Sequence, residues 1–559
     1  MRRESEHRWG TVAPVHDGAT SFGAFRALAG LAVIMATPGV SHALGSPATP
    51  VGDEIRINST YEGNQYSPAI ASNAIGHSIV VWANRTDDHS PGAIIGQRLN
   101  GAGLAWGEEF RISGKAAWYA EAPDVASDDD GNFAVVWQDD NMEAGPGPHV
   151  YMRLFDRYGI ALAAEFRVDG TTREMAFLPQ VARTGAGRII VVWHTWNGST
   201  SEIRGRRFTA SGAPLGEEFT VVADATNALR GARVGIDNSG RITVGWSQNT
   251  AATPTEPASY DVYRRRCASD GTTWSASARV NRSTTLREQR FDMAVDATGN
   301  AVFAWLSEPA FGANRLRGQR ISTTGGLAGA EFEIVTGVNP LDVTVSKARS
   351  TGHFTVGWTQ FNGAYHLFYR HYATDGTALT SPTPATGKYH TLLPSIASDA
   401  DGDFTLAWQS DDLSTWNSEI NGRRYSGSEM VDASVRVAGS PNSVPRGAHV
   451  EHVVRVTNHH APSSLTGVGY ASGMTLVAKP STGTQVVYAE GDNWNCTIDG
   501  DARCLYVGFI PPEYTANNLF VVTRPMAAGA SSLSVQISGN QYDANPANDS
   551  AVETTTVDE

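Results

Sequence analysis

Cysteine is scarce in this chain: 559 residues contain three, at positions 267, 496 and 504. That excludes a dense disulfide framework, and no pair has the spacing of a zinc site. Charged residues make up only 18% of the chain, and no stretch repeats its apolar residues at helical spacing over many turns, so long amphipathic helices are not expected. The apolar segment 27–36 is about half of the roughly 20 residues a helix needs to cross a bilayer. There is no Gly-x-Ser-x-Gly, no His-Glu-x-x-His and no phosphate loop. Positive charge is in deficit, with 43 Lys and Arg against 57 Asp and Glu and a net charge of −14. The acidic residues are spread along the chain, which excludes a sequence-independent grip on nucleic acid or anionic membrane.

What the chain has in quantity is glycine, 57 residues, together with 26 prolines and 9% aromatics, a composition suited to short strands joined by tight turns. One segment recurs seven times: a turn glycine, an apolar and largely β-branched run, and a tryptophan six residues on. The glycines are Gly76, Gly131, Gly187, Gly240, Gly299, Gly352 and Gly402; the tryptophans are Trp82, Trp137, Trp193, Trp246, Trp305, Trp358 and Trp408. Successive tryptophans lie 50 to 59 residues apart, the period of one small antiparallel sheet in a propeller.

The second repeat reads as four strands, 123–127, 132–137, 149–155 and 165–168, the first two joined by Asp128-Asp129-Asp130-Gly131. Similar turns precede Gly240, Gly299 and Gly402. Calcium takes six to eight oxygens, and two or three carboxylates without a distal bidentate glutamate fall short of that. The turns therefore read as structural hairpins, calcium being the alternative, and no cofactor is expected. An arginine returns near the end of the third strand (Arg98, Arg207, Arg266, Arg320; His371 in repeat six), and Glu-Phe opens the fourth (Glu109, Glu165, Glu218, Glu331). Periodic residues are most economically structural. An extra copy of the fourth-strand pattern at 53–58 stands before the first repeat, where it can complete repeat seven and close the ring.

The N-terminus has the pattern of an export signal: Arg26, the apolar segment, then Ser41-His42-Ala43 before a cut at Leu44. The expected organisation is a signal peptide at 1–43, a seven-bladed β-propeller at 44–429 and an immunoglobulin-like β-sandwich at 430–559, an all-β protein that is secreted or on the cell surface, with no transmembrane segment in the mature chain. In an oxidising compartment, Cys496 and Cys504 pair across a short turn-forming segment, while Cys267 is a buried thiol.

Within 430–559, the segment Val453-Val454-Arg455-Val456-Thr457-Asn458, the Cys496 and Cys504 pair and the terminal Asn545-Pro546-Ala547-Asn548-Asp549-Ser550-Ala551 resemble the DUF11 family of bacterial surface and secreted proteins. The resemblance implies a spacer-like sandwich with no catalytic residues to carry over. The repeats resemble uncharacterised, often calcium-binding repeats of large bacterial extracellular proteins, which implies a location rather than an activity.

Ligands of a propeller gather on the loops of one face. Those loops hold Trp118, Tyr119, Trp196, Phe361 and Trp416 beside amides, acids and arginines, which is what a sugar-binding surface needs. They also hold His194, Arg290, Tyr389 and His390, the residue types with which a polysaccharide lyase abstracts a proton beside a uronate carboxylate. Two readings follow: a binding or adhesion module for an extracellular polysaccharide or surface protein, or a carbohydrate-active enzyme, a lyase before a glycoside hydrolase. Convergence of His, Tyr, Arg or acidic side chains in one pocket would favour the enzyme.

Overall fold

The structure, a computed structural model, describes residues 48–60, 63–85, 92–101, 103–114, 119–140, 147–170, 175–196, 198–225, 229–250, 259–282, 286–309, 314–387, 390–400, 402–412, 417–426, 430–459, 471–511, 513–539, 542–543 and 546–559. They form an all-β protein, and no helix among them is long and apolar enough to cross a membrane.

Each glycine-to-tryptophan segment is the second strand of a four-stranded antiparallel sheet, and the described residues form seven such sheets. Sheet one runs Asn64–Ser72, Ser78–Arg85, Ala93–Leu99 and Phe110–Arg111. The next five repeat that order along the chain. Their innermost strands, Asn64–Ser72, Glu121–Ser127, Met175–Arg183, Leu229–Ile236, Arg287–Val295, Pro340–Lys347 and Thr391–Ser398, contact one another in succession, and the last meets the first. The result is a closed, propeller-like ring. A second strand in such a ring has neighbours on both edges and both faces, so it reads as a continuous apolar run rather than an alternating one. All seven tryptophans are 0–1% exposed.

Closure comes from the N-terminal side. Thr49–Arg56 pairs antiparallel with Asn417–Ser426 as the outer strand of sheet seven, in the place the extra copy of the fourth-strand pattern requires.

The periodic arginines and glutamates tie each sheet to its neighbour. Arg98 donates to the carbonyl of Arg157 in sheet two and lies over the Trp106 ring. Arg207 reaches the carbonyl of Asp270, Arg266 those of Gly299, Ser322 and Thr323, and Arg320 that of Thr374, each in the following sheet. Arg424 does the same across the closing seam: its guanidinium bonds the carbonyl of Gly76 in sheet one and pairs with Asp399 and Asp403. Gly76 has φ +81°, and a Cβ there would run into that guanidinium. The glutamates work in the opposite sense, accepting from the segment that leaves the preceding sheet: Glu109 from Ser59 N at 2.7 Å, Glu165 from Gly114 N at 2.6 Å, Glu54 from Thr386 Oγ1 at 2.6 Å.

Met430–Ser440 opens a second arrangement. A five-stranded sheet, ordered Thr484–Glu490, Leu519–Pro525, Val450–His459, Met430–Ser440 and Tyr542–Asp543, shares a core with a six-stranded one, ordered Ser443–Pro445, Ser550–Asp558, Gly529–Ser538, Thr475–Pro480, Asp501–Tyr506 and Trp494–Asp499. Val454, Val456, Leu476, Trp494, Leu519, Val521, Leu533 and Ile537 are among the residues that fill it. Cys496 and Cys504 form a disulfide across the last hairpin, and Cys267 is buried and free, its thiol pushed up to about 11 by burial.

Arg424 is fully buried, so replacing it leaves two carboxylates without their cation. Arg424→Met is expected to lower unfolding stability by about 3–5 kcal/mol. Arg207→Ala, which removes one bond at the surface, should lower it by about 1 kcal/mol. Denaturant midpoints followed by tryptophan fluorescence measure both; equal effects would contradict the seam's special role.

Candidate functional site

The ring encloses a central channel of about 780 Å³, walled by the seven innermost strands. Each of those strands breaks its pairing with the second strand by one residue, near the end at which it begins. In six sheets the extra residue is left-handed: Ser67 (φ 54°), Ala122 (48°), Leu178 (51°), Gly231 (59°), Arg290 (47°) and Leu393 (47°). Proline follows at 68, 123, 179 and 394, where its missing N–H leaves no donor to satisfy at the break. Five non-glycine residues in that conformation cost roughly 1 kcal/mol or more each, and their recurrence in a ring shows that closure imposes it.

Two positions after the left-handed residue in six sheets, and at Thr344 in sheet six, the seven sheets present Ala69, Asp124, Gln180, Arg233, Asp292, Thr344 and Ser395, each opposite the residue preceding the repeat's tryptophan. Four of them stitch neighbouring innermost strands together, three by accepting a backbone N–H. Asp124 Oδ2 accepts from Val181 N and Asp292 Oδ2 from Val345 N, both at 2.8 Å, and Ser395 Oγ accepts from Ile70 N at 3.3 Å. Arg233 Nε donates to Asp292 Oδ1 at 2.8 Å. Burial pushes the Asp124 carboxyl up to about 7, against the pull of the Val181 N–H and the Arg233 charge. Burial also raises Asp342, although the Arg290 guanidinium lies 3.4 Å away.

Arginine gathers where sheets four and five meet. Arg230 and Arg290 line the channel and are exposed. Tyr260 lines it too, with the exposed Arg287 guanidinium 5.4 Å above its ring. Exposed guanidiniums beside an aromatic ring can bind a carboxylate, sulfate or phosphate carried on an apolar framework.

Of the described residues expected from sequence, only Arg290 lines this channel, and it lies within the strand Arg287–Val295 rather than on a connecting loop. His194 is not on a loop either. It is a buried residue of the strand Ile189–Trp196 whose Nε2 accepts from Ala232 N at 3.0 Å. Burial holds it at about 4, with Arg233 and Arg230 acting in the same direction, so its ring is a neutral structural acceptor. The apolar stretch into which it falls is continuous, and a strand continuing three residues past the tryptophan carries it inside. His390, which leads into sheet seven, and Phe361, at the end of a sheet-six strand, both lie against the ring of Tyr365, at 6.3 and 5.2 Å. Tyr119 lies under the Arg85 guanidinium, and Trp196 is half buried at its strand's end. Trp118, Tyr389 and Trp416 lie outside the described residues.

Sequence reasoning missed Asp124, Arg230, Arg233, Tyr260, Asp292 and Asp342. A signal was present: seven residues before the turn glycine, six of the repeats read Ala69, Asp124, Gln180, Arg233, Asp292 and Ser395, a column that varies in charge inside a segment otherwise repeated. The turn aspartates are engaged by cations, Asp128 with Arg183 at 2.8 Å, Asp237 with Arg241 at 2.6 Å and Asp296 with Lys347 at 3.5 Å. Among the described residues no three His, Cys, Asp or Glu side chains converge in a metal-holding group.

Asp124 and His194 predict opposite pH dependences. The Asp124 carboxyl binds its proton more readily folded than unfolded, so its contribution to stability is complete below 3.8 and is lost as pH rises through about 7. His194 is held neutral, so its contribution is complete above 6.5 and is lost as pH falls toward about 4. Relative to wild type, Asp124→Asn should gain stability across the first window with rising pH, and His194→Gln across the second with falling pH. Denaturant midpoints against pH test this; curves parallel to wild type would refute it.

No family model matches the chain, and no curated protein matches it. Solved structures similar to it include a protein of unknown function from Dyadobacter fermentans, 11% identical with a TM-score of 0.43, the match covering 68% of this chain and 100% of that one. Another is an ulvan lyase of polysaccharide lyase family 25, 11% identical with a TM-score of 0.44, covering 66% and 95%. A third is the GH93 α-L-arabinofuranosidase of Fusarium graminearum with arabinobiose, 10% identical with a TM-score of 0.38, covering 67% and 97%.

Proposed function

We propose that the chain is an exported binding or adhesion protein, a seven-bladed β-propeller at 44–429 followed by an immunoglobulin-like sandwich of the DUF11 kind at 430–559, and that the propeller takes an acidic extracellular polysaccharide at its channel mouth. The observation that carries this reading is the Arg287 guanidinium 5.4 Å above the Tyr260 ring, with the exposed Arg230 and Arg290 lining the same channel. In a chain of net charge −14, exposed arginines at a concave site are a specific feature: Arg233 and Arg290 pair with the channel's own Asp292 and Asp342, while Arg230 and Arg287 oppose the overall field and match an anionic ligand. An export signal at 1–43 would deliver it to such a ligand, and the disulfide Cys496–Cys504 suits an oxidising compartment.

The state of one expected proton-abstracting group, His194, favours binding over turnover. The buried His194 already accepts a backbone hydrogen bond, while Asp124 and Asp292 are engaged in holding neighbouring strands together.

The mature protein should be retained on immobilised polygalacturonate or alginate and released by salt, and Arg230→Ala with Arg290→Ala should weaken retention by about tenfold or more, the effect of losing charge-assisted hydrogen bonds. Growth of ultraviolet absorbance from unsaturated uronates would replace this reading with that of a lyase. Retention indifferent to both arginines, or none at all, would overturn it.

A further inference from the structure

The sandwich carries a concavity of its own. The five-stranded sheet turns one face inward, and along Val450–His459 burial alternates strictly, Val450, His452, Val454 and Val456 inside and Glu451 and Arg455 exposed. Leu519–Pro525 alternates likewise and turns Phe520 outward; in Thr484–Glu490 a bulge between Val486 and Tyr488 resets the register so that Tyr488 and Glu490 face the same way as Phe520. The pairings place Tyr488 opposite Val522 and Glu490 opposite Phe520. Tyr488 and Phe520 are therefore diagonal neighbours, about 7–8 Å apart. They are 47% and 38% exposed, and they form the apolar floor of an open groove of about 1010 Å³.

The groove's end is built tightly. A Cβ on Gly491 would run into the carbonyl of Asn518 and the ring of Trp494, so the chain leaving Thr484–Glu490 lies against the one entering Leu519–Pro525. Trp494 Nε1 donates to the carbonyl of Asn517 at 2.8 Å, and Arg455 Nε donates to Asn518 Oδ1 at 3.1 Å. These bonds hold the Asn517-Asn518 corner as one wall. Glu451, Glu490 and Asp492 line the groove, all exposed.

We infer that this groove is a second binding site, for a neutral polysaccharide chain. Two apolar ring faces at diagonal spacing can lie under neighbouring pyranose units, whose axial C–H faces are apolar. Three carboxylates and the Asn518 amide around them are acceptors and donors for the outward hydroxyls. Three carboxylates against one arginine repel uronates and sulfated sugars, so the ligand class is the opposite of that proposed for the ring. The two sites would hold a charged and an uncharged component of one matrix, and simultaneous occupation would raise overall avidity without any new contact.

Isothermal titration of the full chain with neutral gluco-, xylo- and mannohexaose, and with polygalacturonate, separates the two sites. At least one neutral hexasaccharide should bind, with Tyr488→Ala and Phe520→Ala each weakening it about tenfold or more while leaving polygalacturonate binding unchanged. Arg230→Ala with Arg290→Ala should do the reverse, so failure of either site is seen separately. Both aromatic rings are exposed, and unchanged denaturant midpoints will show that the variants fold. Absence of binding to every neutral hexasaccharide overturns the inference, as does binding indifferent to both aromatic substitutions. Concentration-dependent dimerisation in sedimentation, abolished by Tyr488→Ala, would overturn it too, by showing that a second copy covers the groove.

Discussion

The pairing of Thr49–Arg56 with Asn417–Ser426 is the constraint on which the ring depends. Seven sheets laid side by side leave two exposed ends unless the last joins the first, and an open sheet edge is a site of misassembly. Taking the outer strand of the last sheet from the N-terminal side makes closure a matter of backbone hydrogen bonds between the two ends of the domain. Every other tie in the ring repeats this principle more weakly. Arginines reach forward to the next sheet's turn and glutamates back to the preceding connection, so each sheet is held by polar contacts at its edges as well as by apolar packing at its faces. Arg424 has the most demanding version, because at the seam it is fully buried with Asp399 and Asp403.

Closure also shapes the channel. Seven innermost strands meeting around an axis cannot all run straight, and the same one-residue break in each makes the accommodation. That break puts a left-handed residue in six sheets, four of them, Ser67, Gly231, Arg290 and Leu393, lining the channel, and aims the residue two positions on toward the neighbouring strand. Most occupants of these positions are small or serve as stitches between strands. Arg290 is the charged exception at the break itself, and Arg233 the one cation in the column that follows. Site residues of this kind rest on a rigid, over-determined frame, so their geometry survives changes in the surface loops.

The two halves of the chain offer opposite electrostatics on similar physical terms. At the ring, arginines share a channel with Tyr260; on the sandwich, carboxylates share a groove with Tyr488 and Phe520. In both places an aromatic surface lies beside charged side chains, and under the proposed readings those charges would select among ligands while the rings supply affinity.

Much of the architecture was readable before any coordinates. A seven-fold glycine-to-tryptophan period announces seven equivalent strands because each lies in the same doubly covered environment, and the stray Asp53-Glu54 copy points to closure because an unpartnered fourth strand has one place to go. The periodic arginines were recognisable as structural through their period, although their targets, carbonyls of the next sheet's turns, depend on which turns the ring brings near. Cys496 and Cys504 were legible because a local hairpin leaves them no other arrangement. The site was not legible in the same way. His194 looked like a loop residue because strand ends leave no mark in an apolar run, and it is in fact inside. Asp124, Arg233 and Asp292, more than fifty residues apart in pairs, become neighbours only when the innermost strands converge, while Tyr488 and Phe520 share a face only because a bulge resets the register between them. Local periodicity determines which strands form and which faces are buried; which side chains meet across strands is decided by ring closure and register, properties of the whole chain that no single segment encodes.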